Sequence, residues 1–280
     1  MKTQIKETAV NFGSHGIKLS GRLILPSTVD SPLPAAILCH GFGASKKAMI
    51  PSGRSLAEQG IASLVFDLRG HGNSHGAVDG LPVDDVLDAW EFICCQPEVD
   101  TRRTAFIGHS LGAMSAIFAA SEVHPRALVL LSCPPETSNE FPADNEPSTY
   151  GRWGPDTVLE YPRHGAFPWL SGIAAIACRL WMYLHSYSVK VNWQKFFQAL
   201  RELKMSPALE KLDDCAKLFV FCLGDKVTPY SKSSLVYQTA PMPKEALLAS
   251  GGNHTAPLSS KMLRASWLGW TRQVLLNGED

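Results

Sequence analysis

The chain has 280 residues, of which 45% are hydrophobic, and its 26 basic and 26 acidic residues cancel to zero formal net charge. That length suits one α/β domain carrying an insertion, with a large core. The balanced charge, free of any Lys/Arg block, argues against nucleic acid or an anionic membrane surface as partner. The start, Met1 to Glu7, lacks an apolar leader, and the seven cysteines are odd in number, with Cys39, Cys133 and Cys222 in or beside apolar runs; the expectation is a cytoplasmic protein with reduced thiols. No Cys-x-x-Cys occurs and the histidines are scattered, so no zinc site is expected.

Residues 5–12 and 17–25 are short β-branched runs joined by Gly13-Ser-His-Gly16, which predicts an antiparallel pair. Ala35–Cys39 is apolar throughout, as a strand buried on both faces should be, and ends in His40-Gly-Phe-Gly43. Helix-compatible sequence leads to a further strand at Ile61–Phe66, followed by the glycine-rich loop Asp67-Leu-Arg-Gly-His-Gly-Asn-Ser74. Strand, helix, strand in this order predicts a doubly wound sheet, whose ligands bind at the carboxyl edge. A helix from about Pro82 to Cys95 carries Val83, Val86, Leu87, Trp90 and Ile93 at helical spacing, which places Trp90 in the core and the acids Asp84, Asp85, Asp88 and Glu91 outside. The run Thr104–Ile107 stops at Gly108-His-Ser-Leu-Gly112 and continues as a helix, and Ala127–Ser132 is the next strand.

From Pro134 to about Leu212 the pattern changes. Proline, glycine and aromatic residues cluster, two helical pieces are expected at about 171–186 and 192–204, and no strand is expected between them. The apolar stretch Phe167–Tyr187 is broken by Gly172, Arg179 and His185 and reads as a cap helix rather than a membrane span. The sheet resumes at Lys217–Leu223, then Gly224-Asp-Lys-Val-Thr-Pro-Tyr230, a helix from about Ser231, a short strand at Glu245–Ala249, the loop Ser250–Pro257 and a closing helix.

A strand that turns sharply at Gly-x-Ser-x-Gly lifts the Ser110 hydroxyl clear of the sheet and leaves the Leu111 N–H at a helix N-terminus, where developing negative charge is favoured. A serine hydroxyl needs a base, and the base a carboxylate to fix its tautomer. Asp225 and His254 each follow a strand at the carboxyl edge, as Ser110 does. Asp67 reads as bracing the site, Asp213 and Asp214 lie on the opposite edge, His109 is expected to face away, and His40 and His71 are expected to be structural. The glycines around Phe42 let its N–H turn inward as a second oxyanion donor beside Leu111.

Together, His40-Gly-Phe-Gly43, Asp67 to Ser74, Gly108-His-Ser-Leu-Gly112, Asp225-x-x-x-Pro229 and Asn253-His254 resemble the α/β-hydrolase superfamily. Within it the chain is similar to feruloyl/cinnamoyl esterases and to monoacylglycerol-lipase-like and serine-aminopeptidase-like members. The order Ser, Asp, His agrees with that fold. Phe221 and Cys222 stand where relatives usually carry His-Gly. The resemblance implies an α/β fold with a mostly parallel eight-stranded sheet flanked by helices, and it covers nearly the whole chain apart from the changed stretch, which reads as a helical cap at 134–212 inserted in a core of residues 1–133 and 213–280. It further implies a serine hydrolase acting on a small-molecule ester or thioester, with no cofactor or metal required. The aromatic and apolar cap suggests a hydrophobic or aromatic acyl group, with Trp153, Trp169, Trp181 and Tyr183 as pocket candidates, and no nucleic-acid partner or transmembrane segment is expected. Alternatives on the same fold are a thioesterase or acyltransferase, a C–C hydrolase or peptidase using Glu136, Glu140, Asp144 and Glu146, and a catalytically silent binding protein.

Overall fold

The computed structural model describes residues 4–28, 32–136, 157–160 and 188–276. β1 (Ile5–Ser14) and β2 (Ile17–Pro26) form the expected antiparallel pair, turning through His15 and Gly16 at positive φ. Then follow β3 (Leu33–Cys39), α1 (Ile50–Ala57), β4 (Ala62–Phe66), α2 (Val83–Cys94), β5 (Val99–His109), α3 (Leu111–Val123) and β6 (Ala127–Leu131). Every residue of β3, β4 and β6 is buried, because helices cover both faces of the sheet. After β6 come β7 (Thr157–Glu160), β8 (Ser188–Val191), α4 (Trp193–Glu202) and α5 (Met205–Glu210). The sheet is completed by β9 (Ala216–Cys222), α6 (Tyr230–Thr239), β10 (Lys244–Ala249), α7 (Ala256–Ser259) and α8 (Lys261–Leu276).

Eight strands make one sheet in the order β1-β2-β4-β3-β5-β6-β9-β10. Within it only the β1–β2 and β2–β4 pairings are antiparallel, so β2 alone runs against the rest. The period-two alternation of each strand sends its side chains into two separate cores. Ile37, Leu64, Phe106, Leu128 and Phe219 meet Val86 and Ile93 of α2 and Ala116 and Ile117 of α3 on one face. Leu38, Val65, Ile107, Val129 and Val220 meet Leu56 of α1 and Trp267 and Leu268 of α8 on the other. Trp90 packs against the first core, as its helical spacing predicts.

Two expectations are corrected. Asp85 does not face solvent: it is fully buried and accepts hydrogen bonds from the Arg69 backbone (2.7 Å), the Arg69 guanidinium (2.7 and 3.0 Å) and the Ser14 hydroxyl (2.9 Å). A helical wheel places an acid outside only when nothing beyond the helix offers it donors; here the β1–β2 hairpin and the loop after β4 do. The segment between β6 and β9 also contains strands, for β7 and β8 pair antiparallel. β8 is further laced to the loop after β4 by Val78 N–H to Lys190 O (2.8 Å), Lys190 N–H to Gly70 O (2.8 Å) and Asn192 N–H to Val78 O (2.9 Å). Val189 and Val191 bury inward while Lys190 is exposed, a period of two over only four residues. The helix expected over 192–204 is α4, N-capped by the Asn192 side chain. The helix expected over 171–186, the stretch Phe167–Tyr187, the acids Glu140, Asp144 and Glu146, and Trp153, Trp169, Trp181 and Tyr183 lie outside the described residues.

Candidate functional site

From β3 the chain passes through α1 to β4, on one side of β3; from β5 it passes through α3 to β6, on the other. The carboxyl ends of β3 and β5 therefore diverge, forming the crevice where open α/β sheets bind ligands. Ser110 sits at that point, with φ 53° and ψ −115°, a left-handed strained conformation that non-glycine residues rarely adopt. The glycines on either side are there for packing. A Cβ on Gly108 would lie 2.3 Å from Gly112 O, and one on Gly112 would lie 2.4 Å from Cys39 O, so the elbow closes only if both side chains are hydrogen. Leu111 is the first residue of α3, so its N–H has no acceptor inside the helix. The loop after β3 passes directly beside it: a Cβ built on Gly41 would stand 3.2 Å from Ser110 Cβ.

Phe42, next in that loop, stacks on Phe196 of α4 (centroids 5.6 Å apart) and meets the edge of His71 (5.7 Å). His40 and His71 brace the loop. His40 Nε2 accepts the Leu68 N–H (3.1 Å) while Nδ1 bonds Gly41 O (2.8 Å), and His71 Nε2 accepts the Gly43 N–H (3.1 Å) while Nδ1 bonds Arg69 O (3.0 Å). Each ring is thus a neutral Nδ1–H tautomer. Burial pushes both pKa values down, that of His71 to about 3. Asp67 is buried and bonds the Lys46 N–H (2.7 Å), the Lys46 ammonium and the Asn73 N–H (2.9 Å), the bracing role its position predicts.

Asp225 and His254 are brought together. His254 Nδ1 lies 2.8 Å from Asp225 Oδ2, the carboxylate being almost fully buried and the imidazole partly exposed. The other oxygen, Oδ1, accepts the Val227 N–H (2.8 Å) and the Thr228 N–H (3.0 Å), and the Thr228 hydroxyl donates to Oδ2 (2.7 Å). Burial opposes the charge on Asp225, but the hydrogen bonds from His254 and Thr228 outweigh it and hold the carboxyl well below the usual carboxylate range. With Nδ1 given to Asp225, the basic nitrogen of His254 is Nε2. Among the described residues no hydrogen bond joins the Ser110 hydroxyl to His254; such bonds are often long before substrate binds and tighten afterwards.

Ser110 is tied to His254 through its neighbour instead. His109 does not face away: its ring packs on that of His254 (centroids 4.9 Å apart), and its Nε2 bonds the His254 carbonyl (2.8 Å). The backbone twist at Ser110 separates the two side chains, yet β5 ends close enough to the loop after β10 for His109 to reach it. Burial, then the nearby His254, pushes the His109 pKa down to about 4. Sequence reasoning also passes over Ser132, whose hydroxyl donates to the same carbonyl (3.0 Å), and Thr228. The only sequence signal for Thr228 is its place inside Asp225-x-x-x-Pro229. Among the described residues no cluster of His, Cys, Asp or Glu is arranged to hold a metal ion.

Residues 36–265 match the sequence model of the Alpha/beta hydrolase family. The chain belongs to that family. An uncharacterized protein of Mycobacterium tuberculosis is 34% identical over 119 residues, a match spanning 42% of this chain and 42% of the relative. A thiohydrolase of Eupenicillium brefeldianum is 25% identical over 268 residues, spanning 87% of this chain and 85% of that one. Among solved structures, Est1E of Butyrivibrio proteoclasticus, with ferulic acid bound, superposes with a TM-score of 0.70 at 19% identity, covering 96% of this chain and 98% of that one. At that identity the likeness speaks for the fold, a mostly parallel eight-stranded α/β-hydrolase sheet. Among the described residues no helix is long and apolar enough to cross a membrane.

Proposed function

We propose that the protein is a serine hydrolase that cleaves a carboxylic ester with a hydrophobic or aromatic acyl group. The observation that carries this reading is the His254 Nδ1 to Asp225 Oδ2 bond of 2.8 Å, at the same sheet edge as a strained serine elbow. In this reading His254 Nε2 takes the proton of Ser110 as the hydroxyl oxygen attacks the substrate carbonyl. Asp225, kept ionised by its hydrogen bonds, stabilises the imidazolium that forms. The N–H groups of Leu111 and Phe42 receive the oxyanion, each such donor lowering the barrier by about 2.7–4 kcal/mol. The tetrahedral intermediate collapses, His254 returns the proton to the leaving alkoxide, and water repeats the sequence on the acyl-enzyme.

Residues 134–212 act as the cap in this account. The stack of Phe196 on Phe42 supports an aromatic cap surface beside the oxyanion loop. Thioester hydrolysis is the second reading, favoured by the match to a thiohydrolase over most of both chains; the same triad performs it on a carrier-bound acyl group. The deciding experiment compares wild type with Ser110→Ala on p-nitrophenyl esters of increasing acyl length, aryl esters and acyl thioesters. Turnover of the oxygen esters that vanishes in the variant supports the esterase, and a higher kcat/KM on thioesters selects the thioesterase. Turnover that survives in Ser110→Ala removes the reading.

A further inference from the structure

One atom of the site receives more support than the triad requires. The His254 carbonyl oxygen accepts two side-chain hydrogen bonds, from His109 Nε2 at 2.8 Å and from Ser132 Oγ at 3.0 Å. The two donors come from the carboxyl ends of adjacent parallel strands, β5 and β6, whose register places His109 opposite Leu131. Because a carbonyl only accepts, His109 must carry its proton on Nε2, the tautomer opposite to that of His40 and His71. Its ring is buried, and Gly41 allows that burial: a Cβ there would stand 2.7 Å from His109 Nδ1.

Ser132 is held in the left-handed region at φ 47°, a conformation disfavoured for any residue with a side chain. In that conformation it contacts three elements. Its N–H bonds Val220 O of β9 (3.0 Å), its hydroxyl bonds the His254 carbonyl, and its own carbonyl lies 3.5 Å from the hydroxyl of Thr228, which holds Asp225. Glycine would meet the backbone demand at lower cost but would leave the His254 carbonyl with one donor fewer. The geometry points to His109 and Ser132 as a two-point clamp: positioning residues that fix the main chain of His254 to the strand ends that carry Ser110, and so set the distance over which the proton moves. This inference rests on the assignment of His254 as base to Ser110. It adds a role for the residue immediately before the nucleophile and for a serine 122 positions away from His254 in sequence.

The test uses the full chain and four variants, His109→Phe, His109→Gln, Ser132→Ala and the double variant His109→Phe/Ser132→Ala, with Ser110→Ala as control. Phe keeps the ring and its packing on His254 but cannot donate, whereas Gln restores an N–H at nearly the position of Nε2. Losing either donor leaves the carbonyl one bond, so each single variant should lower kcat by about fivefold. Losing both releases the loop, and a displacement of about 1 Å costs on the order of 100-fold, more than the product of the single losses. KM should stay within twofold of wild type, the phosphonylation rate of Ser110 should fall in parallel with kcat, and His109→Gln should recover most of the loss. A purely structural role would lower the melting temperature and the yield of folded enzyme without this kcat-specific pattern, and would overturn the clamp. So would a double variant with wild-type kcat, or a Gln variant as slow as Phe. If Ser110→Ala itself retains turnover, the failure lies in the nucleophile, and the clamp falls with it.

Discussion

Replacing Asp225 by Asn tests the site through one atom. The carboxylate uses both oxygens: Oδ1 accepts two backbone N–H groups, from Val227 and Thr228, and Oδ2 accepts from His254 Nδ1 and the Thr228 hydroxyl. An amide can place its oxygen on only one side. Turning the NH2 toward the two backbone donors would leave both unpaired in a buried turn, at about 1–3 kcal/mol each. Turning it toward His254 leaves only groups that can adapt, since the Thr228 hydroxyl can accept and the imidazole can change tautomer. The introduced amide will therefore donate to His254 Nδ1 and force the proton onto Nε2, the nitrogen that should take the proton of Ser110. The expected loss in kcat/KM is roughly 10⁴-fold, or about 5.5 kcal/mol of transition-state stabilisation, with the fold intact. Steady-state kinetics on a p-nitrophenyl ester reads the activity, and thermal melting checks the fold. A folded Asp225→Asn variant within tenfold of wild type would refute the tautomer argument and the role of Asp225 with it.

Acid should weaken the fold before the carboxylates titrate. Burial lowers the pKa of His40, of His71 to about 3 and of His109 to about 4, whereas in the unfolded chain each titrates near 6.5. Since the unfolded state takes up these protons first, the stability is whole above about pH 6.5 and is lost as pH falls toward the folded values, by up to about 1.4 kcal/mol per pH unit for each histidine. Urea unfolding at pH 7.5 and pH 5 should differ by a few kcal/mol; equal midpoints would contradict the neutral tautomers. Gly112→Ala would drive a Cβ to 2.4 Å from Cys39 O and should cost upwards of about 3 kcal/mol, seen as loss of soluble, cooperatively melting protein; a variant of wild-type stability would show the elbow to be packed otherwise. Asp85→Ala strips the Arg69 guanidinium and the Ser14 hydroxyl of their shared buried acceptor. Because Arg69 keeps some solvent and lies near Asp79 and Asp84, the cost should fall at the low end of a broken buried pair, about 3 kcal/mol, and an unchanged unfolding free energy would argue against the cluster.

What could be read from the sequence was local. Ala35–Cys39 and Ala127–Leu131 announce buried parallel strands because no polar residue interrupts them. The elbow announces itself because only glycine fits beside Gly112 O and Cys39 O. Asp225 and His254 are legible because each follows a strand at the edge that carries Ser110. What escaped depends on partners far along the chain. Asp85 reads as exposed until Ser14, 71 residues away, supplies its donor. The four residues of β8 are too short to signal a strand without the loop at Gly70 and Val78 to pair with. His109 sits beside Ser110, but its direction is fixed by the His254 carbonyl, 145 positions on, and Ser132 finds the same acceptor from a different strand. Local pattern singled out Ser110, Asp225 and His254, while long-range hydrogen bonds, which carry no periodicity, decide how their surroundings are held.

Whether Ser110 is the nucleophile can be read with a fluorophosphonate reagent, which phosphonylates an activated serine. One phosphonyl adduct per chain is expected by intact mass, mapped by peptide sequencing to Ser110, absent in Ser110→Ala and strongly slowed in His254→Ala and Asp225→Asn. An adduct on another residue, or labelling of Ser110 at an unchanged rate in the His254 variant, would contradict it.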